Sequence, residues 1–307
     1  MAQPQKGICA EPNLHAQYLM FNVIDEDSQV IRAKLAHILD VFEHYDNEHY
    51  EAMVSGVIAI GSNYWADLYP GLIPLELAPF PDMECDDRHA PATPCDIFIQ
   101  VRADRADVCF AIGSEVCELL KGHVELFEEI KGFRYLDGRD LTGFVDGTEN
   151  PRGMRKFDVA VVGDSDPDFQ GGSYLHIQRY RTNMDSWQRL PVKNQEDIIG
   201  RTKEDNVEYA SADKADFAHT KRSSLKDADG KSIEILRQSM PYGDMSVKGL
   251  FFISLANSPK PFTLMLKSMV FGDENSTYDR LLDFTVPETG AAFFAPSLTF
   301  IKRHKDS

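Results

Sequence analysis

One short stretch of the chain combines two glycines, a carboxylate and a proline. It is Gly143-Phe144-Val145-Asp146-Gly147-Thr148-Glu149-Asn150-Pro151, called here the 143–151 segment. Glycine admits backbone angles that other residues rarely adopt, and Pro151 prevents a helix from continuing and favours extended backbone at Asn150. The pattern predicts a stiff, non-repetitive loop that points Asp146 in one direction. Because Asp-Gly is a common turn pair, a simple hairpin turn is the alternative interpretation.

Three further residues have side chains that could do chemistry. His219 lies in a long polar stretch, where a solvent-exposed histidine is the ordinary expectation. Arg237 follows two isoleucines at two-residue spacing. An arginine on the apolar face of a strand must find an anion or a ligand, or reach solvent at the strand end. Asp283 stands between leucines and a phenylalanine, where a structural salt bridge is the simplest alternative to a functional role.

Several common catalytic motifs are absent from the sequence. None of the nine histidines falls in H-E-x-x-H or another zinc-binding spacing, so a hydrolytic metal site is not indicated. Neither the G-x-x-x-x-G-K-[ST] nor the G-x-G-x-x-G nucleotide-binding motif occurs, and there is no G-x-S-x-G nucleophile motif.

The composition is that of a soluble globular protein with one large domain or two ordinary ones. The 307 residues are 43% hydrophobic and 26% charged, with a net charge of −17. Such a chain lacks the basic stripe needed to bind nucleic acid and offers no polybasic patch for membrane lipids. No apolar run approaches a membrane span, and the N-terminus shows no export signal. Five cysteines without a C-x-x-C pair favour free thiols in the cytoplasm.

The first half of the chain alternates strand and helix patterns. We predict strands over 17–24, 53–60, 95–101 and 124–134, helices from Ser28 to Phe42 and over 104–121, and a proline-rich loop over 70–94. Ser28 is the predicted helix cap. The order strand, helix, strand, strand, helix, strand is that of the ferredoxin-like fold, an antiparallel sheet with helices packed on one face.

The second half has a similar but less regular pattern. We predict strands over 157–162, 173–180, 232–237, 250–255 and 280–285, and helices over 194–200 and 262–270. The polar stretch 201–230 between them is long for a compact domain, which is typical of a functional or disordered segment. The expected fold is therefore α+β, with two ferredoxin-like domains at 1–135 and 136–307.

The ordered set of Asp146, His219 and Arg237 resembles the pattern of the dye-decolorizing peroxidase family. The 143–151 segment is similar to the G-x-x-D-G signature of that family, which is weak alone but specific within the ordered set. Similarity extends through 174–180, 199–203, 235–239 and 281–285. The compact length and the absence of a leader resemble the cytoplasmic bacterial branch.

This resemblance implies that haem b binds in the C-terminal domain. His219 would be the axial ligand of the haem iron, Asp146 the distal carboxylate and Arg237 the distal arginine. Asp283 would be the carboxylate partner of His219. Ser239, two residues beyond Arg237, would border the distal pocket.

The implied reaction is the oxidation of dyes or phenolic compounds by hydrogen peroxide through an oxyferryl intermediate. Asp146 would move a proton between the peroxide oxygens, and Arg237 would stabilise the departing oxygen. Electrons from bulky reductants could pass through aromatic side chains, but the sequence does not choose among Trp65, Trp187 and eleven tyrosines. Two alternatives stay open, namely iron release from haem in the same pocket and a haem carrier or buffer without turnover.

The resemblance also bears on partners. Hydrogen peroxide and a small aromatic reductant are the expected substrates, and self-association into a homo-oligomer is usual in the family. The charged residues at 300–307 do not resemble the tail by which some relatives enter encapsulin shells, so no such cargo role is predicted.

Overall fold

The computed structural model describes residues 2–25, 27–273 and 277–306, which form eleven strands, nine α-helices and four 3-10 helices. The strands are β1 His15–Val23, β2 Ser55–Gly61, β3 Met83–Cys85, β4 Arg88–Ala90, β5 Ile97–Ala103, β6 Val124–Phe133, β7 Ser173–Thr182, β8 Leu236–Arg237, β9 Met240–Gly243, β10 Lys248–Ala256 and β11 Thr285–Ala295. The helices are α1 Ser28–Glu48, α2 Trp65–Leu68, α3 Ala106–Leu120, α4 Arg155–Ala160, α5 Met184–Arg189, α6 Val192–Ile199, α7 His219–Ser223, α8 Lys260–Phe271 and α9 Leu298–Arg303. The 3-10 helices are Lys6–Cys9, Tyr50–Ala52, Pro167–Phe169 and Arg280–Asp283. Among these residues, no helix has the length and apolar character required to cross a membrane.

Two four-stranded antiparallel units follow the same plan. The first has the order β6-β1-β5-β2, and the second has the order β11-β7-β10-β9. In each unit the fourth strand lies beside the first, the first beside the third, and the third beside the second, which is the ferredoxin-like arrangement. Helices α1 and α3 connect strands of the first unit, and α8 connects β10 to β11. The predicted α+β fold with two ferredoxin-like units is confirmed.

The two units are joined edge to edge into one closed sheet. Strand β2 pairs with β11, and β6 pairs with β9. Because side chains alternate between the two faces of a strand, every strand contributes both to the inside and to the outside of the closed sheet. The inside holds an apolar core that includes Tyr18, Phe98, Phe251 and Phe293, with the rings of Tyr18 and Phe251 stacked 4.4 Å apart. A second core lies outside, beneath α1 and α3.

The first-half predictions agree with the structure except at element ends, in one loop and at the short helix α2, which was not predicted. Helix α1 is capped by Asp27 rather than Ser28, because the Asp27 carboxylate accepts hydrogen bonds from the N–H groups of Gln29 and Val30 at 3.0 and 3.2 Å. The proline-rich loop contains the hairpin β3–β4, which was not predicted. Its strands have only three residues each, too few to show a period.

Three predicted strands in the second half are wrong. Most of 157–162 lies in helix α4, and only the last two residues of 232–237 pair as β8. The predicted strand 280–285 is largely a 3-10 helix, and the strand begins at Thr285 as β11. A short apolar run fits a turn of helix as well as a strand, and the tertiary partners decide between them. Helices α5, α7 and α9 were not predicted either.

Candidate active site

A cavity of about 360 Å³ lies on the outer face of the second unit's sheet, between the 143–151 segment, strands β7 and β10, and helices α7 and α8. Asp146, His219 and Arg237 all border it. The apolar residues around it are Phe144, Val145, Ile199, Leu225, Ile233, Ile235, Leu250, Phe252, Phe262, Met265, Leu266, Met269 and Leu281. A concave, mostly apolar cavity with a few polar groups is typical of a small-molecule site. The structure therefore brings together the three residues that form the predicted ordered set.

Two glycines shape the loop that carries Asp146. The φ angles of Gly143 and Gly147 are +93° and +73°, in the left-handed region that favours glycine. A Cβ at Gly143 would also lie 2.5 Å from Cε of Lys203. The Asp146 carboxylate accepts a hydrogen bond from the Gly147 N–H at 2.7 Å, and its own N–H donates to the Gly138 carbonyl at 3.0 Å. The loop thus holds Asp146 at a defined position on the cavity wall.

Asn150 links this loop to the strand that carries Arg237. Its Oδ1 accepts from the Arg237 N–H at 3.0 Å, and its Nδ2 donates to the Arg237 carbonyl at 2.7 Å. One side chain therefore satisfies both backbone groups of Arg237, as a neighbouring strand would. The guanidinium of Arg237 makes no hydrogen bond or ion pair with another described residue, so it is available to a ligand. From the sequence, Asn150 was noted only as the residue before a proline.

His219 begins helix α7, and Asp279 orients its imidazole. A hydrogen bond of 2.6 Å joins Nδ1 of His219 to the carboxylate of Asp279, which is fully buried. Burial is the largest single effect and disfavours the charged imidazole, but the negative charge and the hydrogen bond of Asp279 together favour it, so the pKa of His219 is raised. Nε2 of His219 has no hydrogen-bond partner among the described residues. The ring can therefore offer this nitrogen to a ligand in the cavity.

The carboxylate beside His219 is Asp279, and not Asp283 as predicted. Asp283 instead accepts hydrogen bonds from the hydroxyl of Tyr278 at 2.8 Å and from Nε of Arg280 at 3.0 Å. The prediction assumed a strand over 280–285. In the 3-10 helix found there, Asp279 is the N-cap, and its second oxygen accepts from the backbone at the helix start. The capping preference of aspartate was the available sequence signal.

Ser239 does not border the cavity that contains His219. The prediction placed it on the same strand face as Arg237, but strand pairing is interrupted between β8 and β9. The Ser239 hydroxyl accepts a hydrogen bond from the Ile253 N–H at 3.3 Å. Ser239 lines a second cavity, which adjoins the first at Asp146 and Arg237.

Asp140 is a further carboxylate at the first cavity that was not predicted. It accepts hydrogen bonds from the N–H of Thr142 at 2.9 Å and from the Thr142 hydroxyl. Burial raises the pKa of Asp140 to about 6, and the charge of Asp146 acts in the same direction, while the bonds from Thr142 lower it. The sequence signal was slight, because Asp140 lies outside the 143–151 segment.

Replacing Asp140 with asparagine is expected to stabilise the fold more at pH 7.5 than at pH 4.5. The folded protein keeps a proton on Asp140 up to about pH 6, whereas an unfolded chain loses it near about pH 3.9. Raising the pH across this window therefore lowers the free energy of unfolding of the wild type. In Asp140→Asn the amide keeps an acceptor for Thr142 without the charge, so we expect a gain of roughly 1–3 kcal/mol at pH 7.5. Urea unfolding of both proteins at pH 4.5 and pH 7.5 measures the gain in the free energy of unfolding. Equal gains at the two pH values would contradict the raised pKa of Asp140.

Comparison with known proteins identifies the family. The family model described as Dyp-type peroxidase, N-terminal, matches residues 5–134, and that described as Dyp-type peroxidase, C-terminal, matches residues 137–300. The dye-decolorizing peroxidase of Rhodococcus erythropolis is 37% identical over 294 residues, which are 95% of this chain and 86% of that protein. A crystal structure of a dyp-type peroxidase protein from Shewanella oneidensis has a TM-score of 0.97 and 50% identity, and the match covers 99% of each chain.

A third similar protein was solved with a ligand. It is a variant of DypB from Rhodococcus jostii RHA1 in complex with heme, with a TM-score of 0.93, 34% identity and 97% of each chain covered. The two family models together span both structural units and all residues of the candidate site. This chain belongs to the Dyp-type peroxidase family.

Proposed function

We propose that Asp146 and Arg237 activate hydrogen peroxide at a haem b whose iron is held by His219. The chain is a haem-dependent peroxidase, in accordance with its family. The observation that carries the residue roles is that these three side chains border one cavity. A haem carrier would need His219 and apolar walls, but it would not need an acid and an arginine in the same cavity. The presence of both Asp146 and Arg237 therefore favours a peroxidase over a carrier.

The residues around the cavity fit an iron porphyrin. His219 has one ring nitrogen bonded to Asp279 and the other without a partner among the described residues, which is the arrangement of a metal-binding histidine. A carboxylate at Nδ1 raises the basicity of the ring and fixes its tautomer. Phe252, Phe262 and Leu266 supply apolar walls for a macrocycle. When bound, haem supplies the iron that binds peroxide and the electrons that first reduce it.

Asp146 and Arg237 divide the work of breaking the peroxide O–O bond. Asp146 takes the proton from one peroxide oxygen and returns it to the other, which leaves as water. Arg237 donates hydrogen bonds to the departing oxygen as negative charge grows on it. Its guanidinium has no competing partner among the described residues, and Asn150 holds its backbone. Both side chains are in position before peroxide enters. A donor that is already oriented stabilises the developing charge without the cost of reorganisation.

The experiment that tests this function is the replacement Asp146→Asn. Asparagine keeps the size of the side chain but does not accept and return a proton, so peroxide activation should slow by about 10²-fold or more while haem stays bound. Stopped-flow absorbance of the haem band after mixing with peroxide measures the rate. Asp185→Asn, which changes an exposed carboxylate outside both cavities, is the control and should react at the wild-type rate. Unchanged activation in Asp146→Asn would assign Asp146 a structural role only.

The same role sets the expected pH dependence of the wild type. A carboxylate gives up its proton at lower pH than an imidazole, so a carboxylate base stays available in acidic solution. Reduction of peroxide to water also consumes protons. Dye oxidation should therefore be greatest on the acid side of neutrality, and an optimum above neutral pH would contradict this expectation.

Asp279 is expected to control how tightly haem is held. Asp279→Asn removes the charge beside Nδ1 of His219, and loss of such a partner typically weakens metal binding by about 10–100-fold. The rate of haem transfer to an excess of apomyoglobin measures the change. Asp283→Asn is the matched control, because Asp283 contacts Tyr278 and Arg280 rather than His219. Equal haem loss from the two variants would reject the special role of Asp279.

We also propose a reducing, cytoplasmic setting. The five cysteines lie within the described residues and are all free, which agrees with a compartment where thiols stay reduced. Self-association stays a prediction from the sequence.

A further inference from the structure

A second cavity, of about 450 Å³, lies at one end of the closed sheet and shares Asp146, Gly147 and Arg237 with the first. It is bounded by residues 10–13, by the connection that follows β6, and by residues 236–241. The two residues proposed to activate peroxide therefore stand where the two cavities meet. The proposed mechanism makes no use of this second space.

The second cavity is strongly cationic. The basic residues that line it are Arg102, Arg134, Arg139, Arg152, Lys156 and Arg237. Only two acidic residues, Glu11 and Asp146, accompany them. The chain as a whole has a net charge of −17, so the positive charge of this cavity is a local feature of opposite sign. A cleft lined by one sign of charge concentrates ligands of the opposite sign.

Arg102 is the least satisfied of these cations. Only 3% of its surface is exposed, and its Nε and Nη1 are buried without a hydrogen-bond partner. The remaining nitrogen donates to the carbonyl of Glu11 at 3.4 Å. A buried guanidinium without an anion is costly, and removing it from water is compensated only by good partners. Two of the three guanidinium nitrogens of Arg102 thus have no hydrogen-bonding partner among the described residues.

The neighbouring basic residues differ in their availability. Lys156 is paired with Glu11 at 2.7 Å, and Arg139 donates to Asp137 and to three backbone carbonyls. The exposed side chains of Arg134 and Arg152 make no hydrogen bond or ion pair with other described residues. Arg102 can therefore anchor an anion at the cavity wall, where the exposed Arg134 and Arg152 add unpaired positive charge.

The remaining walls favour a flat apolar body attached to that anion. Aromatic, proline and aliphatic residues line the cavity, namely Pro12, Phe133, Tyr135, Pro151, Leu236, Met240 and Pro241. Aromatic rings stack on such surfaces. An inorganic anion would satisfy Arg102 but would leave these surfaces uncovered.

We propose that the second cavity binds a small aromatic carboxylate, with the carboxylate on Arg102 and the ring against the apolar residues that line the cavity. A phenolic acid held there is an electron donor beside Asp146 and Arg237, so this part rests on the proposed function. Two phenolic acids each give up one electron and one proton, and together they reduce one hydrogen peroxide to two waters. The structure in this way assigns a chemical class to the reductant.

Binding is tested without turnover, on the haem-loaded protein and without peroxide, by ¹⁹F NMR titration with 4-fluorobenzoate and 4-fluorobenzamide. The acid should bind at least about tenfold more tightly than the neutral amide, because a charge-assisted pair with guanidinium is lost in the amide. Arg102→Gln should remove most of that difference. Arg152→Gln, at an exposed position where the fold tolerates change, should raise the dissociation constant for 4-fluorobenzoate severalfold. Arg189→Gln, an exposed arginine outside both cavities, should bind the acid as the wild type does.

Three outcomes would overturn the site. They are equal binding of acid and amide, binding of the acid that is unchanged in both Arg102→Gln and Arg152→Gln, and a change of the haem absorption band that shows direct iron ligation. Inorganic phosphate is the third probe. If it binds as tightly as 4-fluorobenzoate and displaces it, the cavity is a general anion site and the aromatic assignment fails.

Steady-state kinetics with an acidic and a neutral phenol test the anion site independently of the proposed function. With peroxide, Arg102→Gln should raise the KM for ferulate about tenfold and leave the KM for its neutral methyl ester unchanged. Equal effects on both donors would overturn the role of Arg102 in selecting the reductant. If Asp146→Asn and Arg237→Leu activate peroxide normally while 4-fluorobenzoate binding still depends on Arg102, the proposed roles fail and the anion site stands. If instead both variants activate peroxide slowly and 4-fluorobenzoate binding does not depend on Arg102, the anion site is rejected and the proposed roles of Asp146 and Arg237 stand.

Discussion

His219→Ala is expected to be isolated with little or no haem. His219 offers the cavity a ring nitrogen that no described residue occupies, and the iron would lose its protein ligand in the variant. The apolar walls alone would retain haem only weakly. The ratio of the haem absorption band to protein absorption, after purification in the presence of excess haem, measures the loss.

Two controls make the result specific to the ligand. His44→Ala removes an exposed histidine of helix α1 and should keep wild-type haem occupancy. Imidazole added to His219→Ala together with haem should restore a histidine-like spectrum, because the vacated space admits the missing ring. Full haem occupancy with an unchanged axial-histidine spectrum in His219→Ala would reject His219 as the ligand.

Arg237→Leu is expected to keep its haem and to react with peroxide about 10²–10³-fold more slowly than the wild type. Leucine replaces the aliphatic part of the arginine side chain but donates no hydrogen bond to the departing oxygen. The backbone of Arg237 is held by Asn150 through its N–H and carbonyl, and both groups persist in the variant. The loss should therefore reflect the side chain and not a displaced strand.

Stopped-flow mixing with peroxide in excess measures this rate directly. Arg237→Lys distinguishes charge from geometry, since lysine keeps the positive charge but lacks the planar fork of donors. We expect it to recover part of the rate. Peroxide activation at the wild-type speed in Arg237→Leu would exclude Arg237 from the step.

Three candidate site residues that border one cavity could be predicted from the sequence. Asp146, His219 and Arg237 are recognisable because their types and order are written along the chain, and Gly143 and Gly147 mark a loop whose angles only glycine adopts easily. Strands and helices of the first unit were also predictable, since their apolar periods are local properties of each segment.

The partners of these residues were decided by the tertiary structure. Asp279 and Asp283 are both acids close to one another in the chain, and only the turn of a 3-10 helix places Asp279 on His219, 60 positions away. The bonds from Asn150 to Arg237 span 87 positions.

The cavities and the closed sheet likewise depend on contacts between distant residues. Strand β2 meets β11, and Arg102 of the first unit lines a cavity with Arg237 of the second. The sequence by itself thus determined which side chains and local elements are present. Which of them meet was determined only when both units closed into one sheet, because hydrogen bonds and burial between distant segments have no local pattern along the chain.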